Sequence, residues 1–320
     1  MTAKDILTGL KPVTQECFSV FAPYYEERAK HYVYPRYMQS VCVLIDMGKT
    51  YYNIIRAAHG NVLVVFKRTQ IFGKTGVQMP ICPISLTGST QDEQNVMLAV
   101  LKVGVSLRVT SEDINRYKIP RKICSDGTGP FVPVNNEYLY DCEKSYKQEG
   151  TKFKKVRHLA NRTMKSDGFH YGKPTDMISK IDALVYECGK EYKMKHSESA
   201  SQVNLWRIIK SANNRFVNIR IISCNNSVEA VAVYEKISST HYNRILHIRN
   251  FSGKFQDTKC AMHKLTCGEI AHRGGRFLNI GLADYGGLIS SKEQLVPCAH
   301  QKIYTVKTTK TSDKLKAYFK

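Results

Sequence analysis

Long apolar runs are missing from this chain of 320 residues. The longest, such as Val41 to Ile45 and Val62 to Phe66, fall far short of the roughly 20 residues that cross a bilayer, so no membrane-spanning helix is expected. A secretion signal is missing too, because Met1 to Leu10 carries Lys4 and Asp5 and never develops an apolar core; the start reads as that of a cytoplasmic protein. The ten cysteines, at positions 17, 42, 82, 124, 142, 188, 224, 260, 267 and 298, include no C-x-x-C pair and no dense framework of the kind that staples small secreted domains. They read as reduced, mostly buried thiols. Acidic residues are scarce: 27 Asp and Glu stand against 48 Lys and Arg, a formal net charge of +21. Such a surplus points to a polyanionic partner, with nucleic acid (tRNA or DNA) ahead of an anionic membrane surface and of a mere solubility effect.

What is present is enough to fold. Apolar residues make up 42 % of the chain and include 19 Tyr and 12 Phe, so buried surface can offset the entropy of ordering, and the length suits two domains. To about Pro35 the sequence has helical stretches and a run of tyrosines among cations. From Val41 come short apolar runs, Val41 to Ile45, Tyr51 to Arg56 and Asn61 to Lys67, bounded by Met47-Gly48-Lys49 and His59-Gly60, which read as antiparallel strands. A helix that Ser89 or Thr90 can cap, with Asp92 and Glu93 in its first turn, feeds a strand from Val105 to Thr110. Lys118 to Pro133 looks like a linker or surface loop, and places a boundary between domains at 1–134 and 135–320.

The second half opens with Tyr138 to Tyr140. Helices follow over Cys142 to Met164, broken at Gly150, over Thr175 to Tyr192, and more briefly over Asn204 to Ser211. Three strands, Phe216 to Cys224, Ser227 to Lys236 and Ile245 to Phe251, come next, the first two joined by the tight-turn pair Asn225-Asn226. A helix from Thr258 to Arg273, stopped by Gly274-Gly275, leads to a strand from Phe277 to Leu282. Strand, strand, strand, helix, strand is also the fainter order of the first half. The fold class expected is therefore α/β (α+β), with two similar units, each a mixed, mainly antiparallel sheet flanked by helices.

Two segments can carry chemistry. In the first, Lys154, Lys155, Arg157, Asn161 and Arg162 sit on a helix, and the four-residue spacing of Arg157 and Asn161 sets them on the face of Lys154, as phosphate binding requires; the plain alternative is a solvated basic face. The second, RFLNIGLADYGGLISSKEQLVP from Arg276, places Asn279, Asp284, Tyr285, Gly286, Gly287 and Lys292 at and after a strand end, where ligands of open α/β sheets bind. An Asp on such a loop can orient an amine or serve as a base, or it can simply form a turn. Cys260, His263 and Cys267 fall at i, i+3 and i+7 on one helix face, with His272 further on, yet zinc sites normally draw on a loop as well as a helix, so packed core thiols are the better reading and no metal is expected.

With Tyr138 and Tyr140 on a strand, then Gly150, Phe153, Lys155, Arg157 and Asn161, then Asn279, Asp284, Gly286, Gly287, Leu288, Lys292 and Pro297, the last 190 or so residues resemble the C-terminal catalytic domain of the phosphatidylglycerol lysyltransferases. That family pairs two units of the Gcn5-related N-acetyltransferase (GNAT) fold and is related more distantly to the Fem peptidyltransferases. The resemblance implies transfer of an acyl group, in the best-known members an aminoacyl group from aminoacyl-tRNA, to an amine or hydroxyl, with no tightly bound cofactor and no metal or redox chemistry. It implies that Lys155, Arg157 and Asn161 serve the donor or hold the domain together, with Lys154 and Arg162 beside them as donor- or phosphate-binding residues, that Asp284 and Lys292 face the reacting carbonyl, and that Asn279, Tyr285, Gly286 and Gly287 line the substrate pocket. Ile289 departs from the family, which usually has an Arg there, and the membrane-spanning half of the lipid-modifying members is absent, so a phosphatidylglycerol acceptor is not implied. Acetyl-CoA is the second donor: GNAT enzymes bind its diphosphate on an R/Q-x-x-G-x-G/A turn, whereas Phe251 to Asp257 has one glycine and ends in an acid. Beside the transferase stand a non-catalytic nucleic-acid-binding protein with a degenerate GNAT fold and a phage-type acyltransferase acting on nucleic-acid bases.

Overall fold

A computed structural model describes residues 1–71, 74–119, 124–125, 136–196, 201–212, 215–250, 252–255, 257–282 and 286–306. Most of the expected linker, Lys118 to Pro133, lies outside the described residues. By their contacts the described residues fall into two units, one of residues 1–137 with 282 and 300–306 and the other of residues 138–281 with 286–299.

The first unit begins with helix α1 (Ala3–Leu7), a short strand β1 (Lys11–Pro12) and helices α2 (Cys17–Ala29) and α3 (Val41–Asp46). Val41 to Ile45 is thus helical, against the strand expected from its apolar run. Ser40 decides it by capping the helix, accepting a hydrogen bond from the Val43 N–H at 3.1 Å, and a short run buried all round carries no period that separates helix from strand. Strands β2 (Thr50–Arg56), β3 (Asn61–Ile71) and β4 (Lys74–Met79) form an antiparallel meander, with β5 (Ile84–Ser85) paired to β3. Helix α4 (Thr90–Leu101), capped by Ser89 as the sequence suggests, crosses to β6 (Ser106–Thr110), which pairs parallel to β4. Helix α5 (Ser111–Tyr117) and strand β7 (Cys124–Ser125) follow, and the last strand, β14 (Ala299–Val306), pairs antiparallel with β6 and β7. Val62, Val64 and Phe66 on one face of β3, Val96 and Val100 on α4, and Leu107 and Val109 on β6 make the apolar core.

Beside that core lies a buried ionic one. The Asp113 carboxylate accepts from Arg28 at 2.9 Å, from Arg36 at 3.1 Å and from the Thr110 N–H and hydroxyl at 2.8 and 2.9 Å, while Arg36 also pairs with Glu137 at 3.6 Å. Burial alone would raise the Asp113 pKa, but the two guanidinium groups and the Thr110 N–H outweigh it and hold the carboxyl down at about 2.

In the second unit β8 (Asn136–Asp141) precedes helices α6 (Cys142–Lys147) and α7 (Lys154–Met164), strand β9 (Phe169–Gly172), and helices α8 (Ile178–His196) and α9 (Ser201–Ser211). Strands β10 (Val217–Cys224) and β11 (Ser227–Lys236) turn on Asn225 and Asn226, both left-handed (φ 46° and 68°), a conformation that asparagine tolerates. Then come β12 (His241–Arg249), helix α10 (Thr258–His272), β13 (Phe277–Leu282) and helix α11 (Gly286–Glu293). The strand order is β8-β13-β12-β11-β10-β9, antiparallel from β9 to β12 and parallel between β12 and β13. In each unit three antiparallel strands therefore lead through a helix into a fourth that runs parallel to the third. The mixed, mainly antiparallel sheet flanked by helices is the fold class expected from the sequence.

Replacing Asp113 by Asn strips the two buried guanidinium groups of their shared counter-charge, and should cost about 3 to 5 kcal/mol of stability in a urea titration at neutral pH. Because the folded-state pKa is depressed, this contribution is present above the ordinary carboxylate range and is lost as pH falls through about 2. The wild type should accordingly lose stability between about pH 4 and pH 2. The variant should lack that component.

Candidate active site

Parallel strands β12 and β13 are paired at only three positions, His241 with Phe277, Tyr242 with Leu278 and Asn243 with Asn279. Beyond that third rung each goes its own way, for reasons visible in both. On β12 Tyr234 pairs with Arg244 but Val233 pairs with Leu246, so Ile245 is an extra residue, a bulge that bends and twists the strand. On β13 the Asn279 side chain accepts from the Gly281 N–H at 2.8 Å, and Gly281 takes a left-handed φ of 75° that a side chain would resist.

Main-chain groups past the last rung still need partners. Lys292 of α11, itself 6 % exposed, supplies them: its ammonium donates to the carbonyls of Ile280 at 2.8 Å and Gly281 at 2.9 Å, and lies 5.4 Å from the Tyr138 ring centroid. Its own carbonyl accepts from the Tyr140 hydroxyl at 2.8 Å. Asn279 and Lys292, chosen from the sequence, thus meet at the end of β13, and Gly286 and Gly287 start the helix that carries Lys292. Asp284 and Tyr285 lie outside the described residues.

Beside the parted strands lies a basic face that the sequence did not disclose. The bulge sets Arg244, His247 and Arg249 on one face of β12, opposite Tyr234, Ala232 and Ala230, the face on which Ala261 and Met262 of α10 pack. Burial first, then the charges of Arg244, Lys259, His263 and Arg249, push the His247 pKa well below its ordinary value, and its Nε2 is shielded from solvent with no hydrogen-bond partner among the described residues. Lys259 at the start of α10 ties that helix to α11, donating to the Ser291 carbonyl at 3.2 Å, the Ser291 hydroxyl at 3.0 Å and Gln294 Oε1 at 2.7 Å. Burial, and next to it Arg244 and Arg249, lower its pKa. At the far end of α10 the Glu269 carboxylate fixes the helix to the sheet through Arg220 (2.6 Å from Nε) and Tyr171 (3.2 Å).

Helix α7 buries Val156, Ala160 and Thr163, and turns its cations outward. Lys154, Lys155, Arg157 and Asn161, with Thr151, Lys152 and His158, line an open groove of about 620 Å³. Arg157 is partly used within it, donating to the carbonyls of Gln148 and, at 3.4 Å, Gly150, two residues held at left-handed φ of 53° and 85°. Arg162 does not line the groove. It forms an ion pair with Asp257 at the N-terminal end of α10.

The helix-face thiols divide. Cys267 lies 3.8 and 3.9 Å from the two ring nitrogens of buried His263, which packs edge-on to Tyr140 at 4.6 Å. Burial would raise the Cys267 thiol, but a hydrogen bond with Cys142 and the charge of His263 bring it below its ordinary range while Cys142 is driven up. Cys260 is instead pushed up to about 11 by burial, and His272 Nδ1 donates to the Gly268 carbonyl, 2.6 Å away. Among the described residues no three His, Cys, Asp or Glu side chains converge on a metal-sized site.

No protein-family model and no curated protein matches the chain. Solved structures do. A conserved protein of unknown function from Bacteroides thetaiotaomicron superposes with a TM-score of 0.73 at 15 % identity, covering 94 % of this chain and 99 % of that one. FemX superposes with a TM-score of 0.63 at 8 % identity, over 98 % of this chain and 100 % of its own. The C-terminal domain assigned to a lysylphosphatidylglycerol synthetase of Agrobacterium fabrum gives 0.60 at 11 % identity, over 90 % and 92 %. The chain therefore has the GNAT-like, Fem-related fold that its motifs resemble.

If Lys292 holds the end of β13, Lys292→Met should strand two buried carbonyls and lower stability by about 1 to 3 kcal/mol for each. A urea midpoint equal to that of the wild type would show that the ammonium holds nothing.

Proposed function

We propose that the chain is an acyltransferase that moves an aminoacyl group from aminoacyl-tRNA to an amine or hydroxyl acceptor, with the reacting groups in the opening between β12 and β13. The observation that carries this reading is the parting of two parallel strands after three rungs, beside a wall that bears Arg244, His247, Arg249 and Lys259. Cations beside a partly shielded opening favour charge that develops on a carbonyl oxygen during acyl transfer. The lysylphosphatidylglycerol synthetase domain shares the fold and supports this class of reaction.

In the proposed reaction the acceptor's nitrogen or oxygen attacks the carbonyl carbon of the aminoacyl ester. The new bond forms as the ester C–O bond breaks, Asp284 takes the proton from the acceptor, and that proton passes to the departing ribose hydroxyl. Lys292 acts as a positioning residue that fixes the end of β13. Lys154, Lys155 and Asn161 in the groove on α7 contact the donor's phosphates, in keeping with the net charge of +21.

Ile289 in place of the family's Arg favours a second reading, a nucleic-acid-binding protein without catalysis. Transfer from charged tRNA and binding of tRNA and duplex DNA at several salt concentrations separate the two. Asp284→Asn should lower transfer by about 10²- to 10⁴-fold while leaving tRNA affinity unchanged. Lys154→Ala with Lys155→Ala should weaken binding and flatten the log–log salt dependence by about 1.5. Salt-sensitive binding by a wild-type protein that transfers nothing would leave the binder.

A further inference from the structure

Burial pushes the thiols of Cys17, Cys82 and Cys260 up, the ordinary state of inert cysteines in a core. Cys142 and Cys267 are placed differently. Cys142 is the first residue of α6 and Cys267 lies on α10, and the two side chains, both fully buried, are hydrogen-bonded to each other. Facing the Cys267 sulfur are Cys142, the His263 ring nitrogens at 3.8 and 3.9 Å, Arg244 of β12, and Tyr140 of β8, which packs edge-on to His263. Arg244 is cationic and His263 can become so, so the proton that leaves is that of Cys267, and the Cys142 S–H donates to the sulfur left behind.

Thiols in such contact can also join. A disulfide holds its sulfur atoms about 2 Å apart, a closure that rotation of two touching side chains can supply. Nor is the pair deep: Gly268, next to Cys267, lies under the Tyr146 ring, 2.5 Å from where its Cβ would stand, and Tyr146 is 37 % exposed.

We propose that Cys142 and Cys267 form a reversible redox site, in which a hydroperoxide oxidises Cys267, Cys142 resolves the product as a disulfide tying α6 to α10, and His263 carries the protons. The Cys267 thiolate attacks the outer oxygen of the peroxide, the O–O bond breaks, and the departing alkoxide, or hydroxide from hydrogen peroxide, takes a proton from protonated His263. Cys267 is left as a sulfenic acid. The Cys142 sulfur then attacks the Cys267 sulfur, the S–O bond breaks, and the Cys142 proton leaves with the hydroxyl as water by way of His263. Two electrons have passed from the sulfurs to the peroxide, and an added thiol reverses the step by exchange. The site operates whether or not the chain transfers acyl groups.

The test exposes the folded full chain to hydrogen peroxide, alkylates the remaining thiols and maps unreduced peptides by mass spectrometry. In the wild type the dominant product should be a peptide pair joined through Cys142 and Cys267, which dithiothreitol separates, while Cys260 stays a thiol. Cys142→Ser removes the resolving thiol and should leave Cys267 as a sulfenic acid that dimedone captures. His263→Gln, shown to be folded by its thermal transition, should slow the joining about tenfold. Cys142 and Cys267 remaining thiols in a wild type whose exposed Cys298 has been oxidised overturns the proposal. So does dimedone capture that spares Cys267 in Cys142→Ser, and so does a folded His263→Gln that joins the pair at the wild-type rate.

Discussion

The function proposed for this protein depends on two parallel strands that stop pairing after Asn243 and Asn279. A sheet interrupted in this way exposes main-chain groups that no neighbouring strand can satisfy, and an interior tolerates that only when other donors and acceptors are supplied. One lysine takes the carbonyls at the end of β13, and one asparagine takes the Gly281 N–H. The unpaired end of β13 is thus tied down by side chains fixed in the fold.

Charge is distributed on the same logic. Among the described residues six carboxylates are buried, Asp92, Glu93, Asp113, Glu137, Glu229 and Glu235, against four buried cations, Arg28, Arg36, Arg220 and Lys292. Among the described residues the interior thus takes more acids than cations, which leaves the positive surplus to the rest of the chain. In the second unit much of that surplus is concentrated on α7 and on the facing sides of β12 and α10, so a net charge spread along the sequence becomes two local fields in space.

Local chemistry in the sequence announced the elements that local chemistry controls. Asn225-Asn226 marked the β10–β11 turn, Gly274 the end of α10 and Ser89 the start of α4, because each acts through its own backbone. Val41 to Ile45 misled because a short, mostly buried run has no period, and β14 escaped notice because its polar alternation, with Gln301 and Thr305 among its buried residues, does not resemble an apolar strand. For the site, Asn279 and Lys292 were legible as a polar cluster after a strand. Arg244, His247 and Lys259 were not, since only the bulge and the packing of α10 bring them together. Arg162, counted with the phosphate-binding residues in the sequence, is engaged by Asp257, a partner 95 positions away that no spacing rule could suggest.

The bulge at Ile245 has a further consequence, one of parity. Residues three apart on a regular strand point to opposite sides of the sheet, yet Arg244 and His247 share a side because one extra residue separates the rungs on which they sit. Were Ile245 drawn into the ladder opposite Val233 instead, Leu246 and Ile248 would come to lie opposite Ala232 and Ala230, and His247 and Arg249 would turn to the other layer. Length, as much as composition, is what makes this wall of the opening polar.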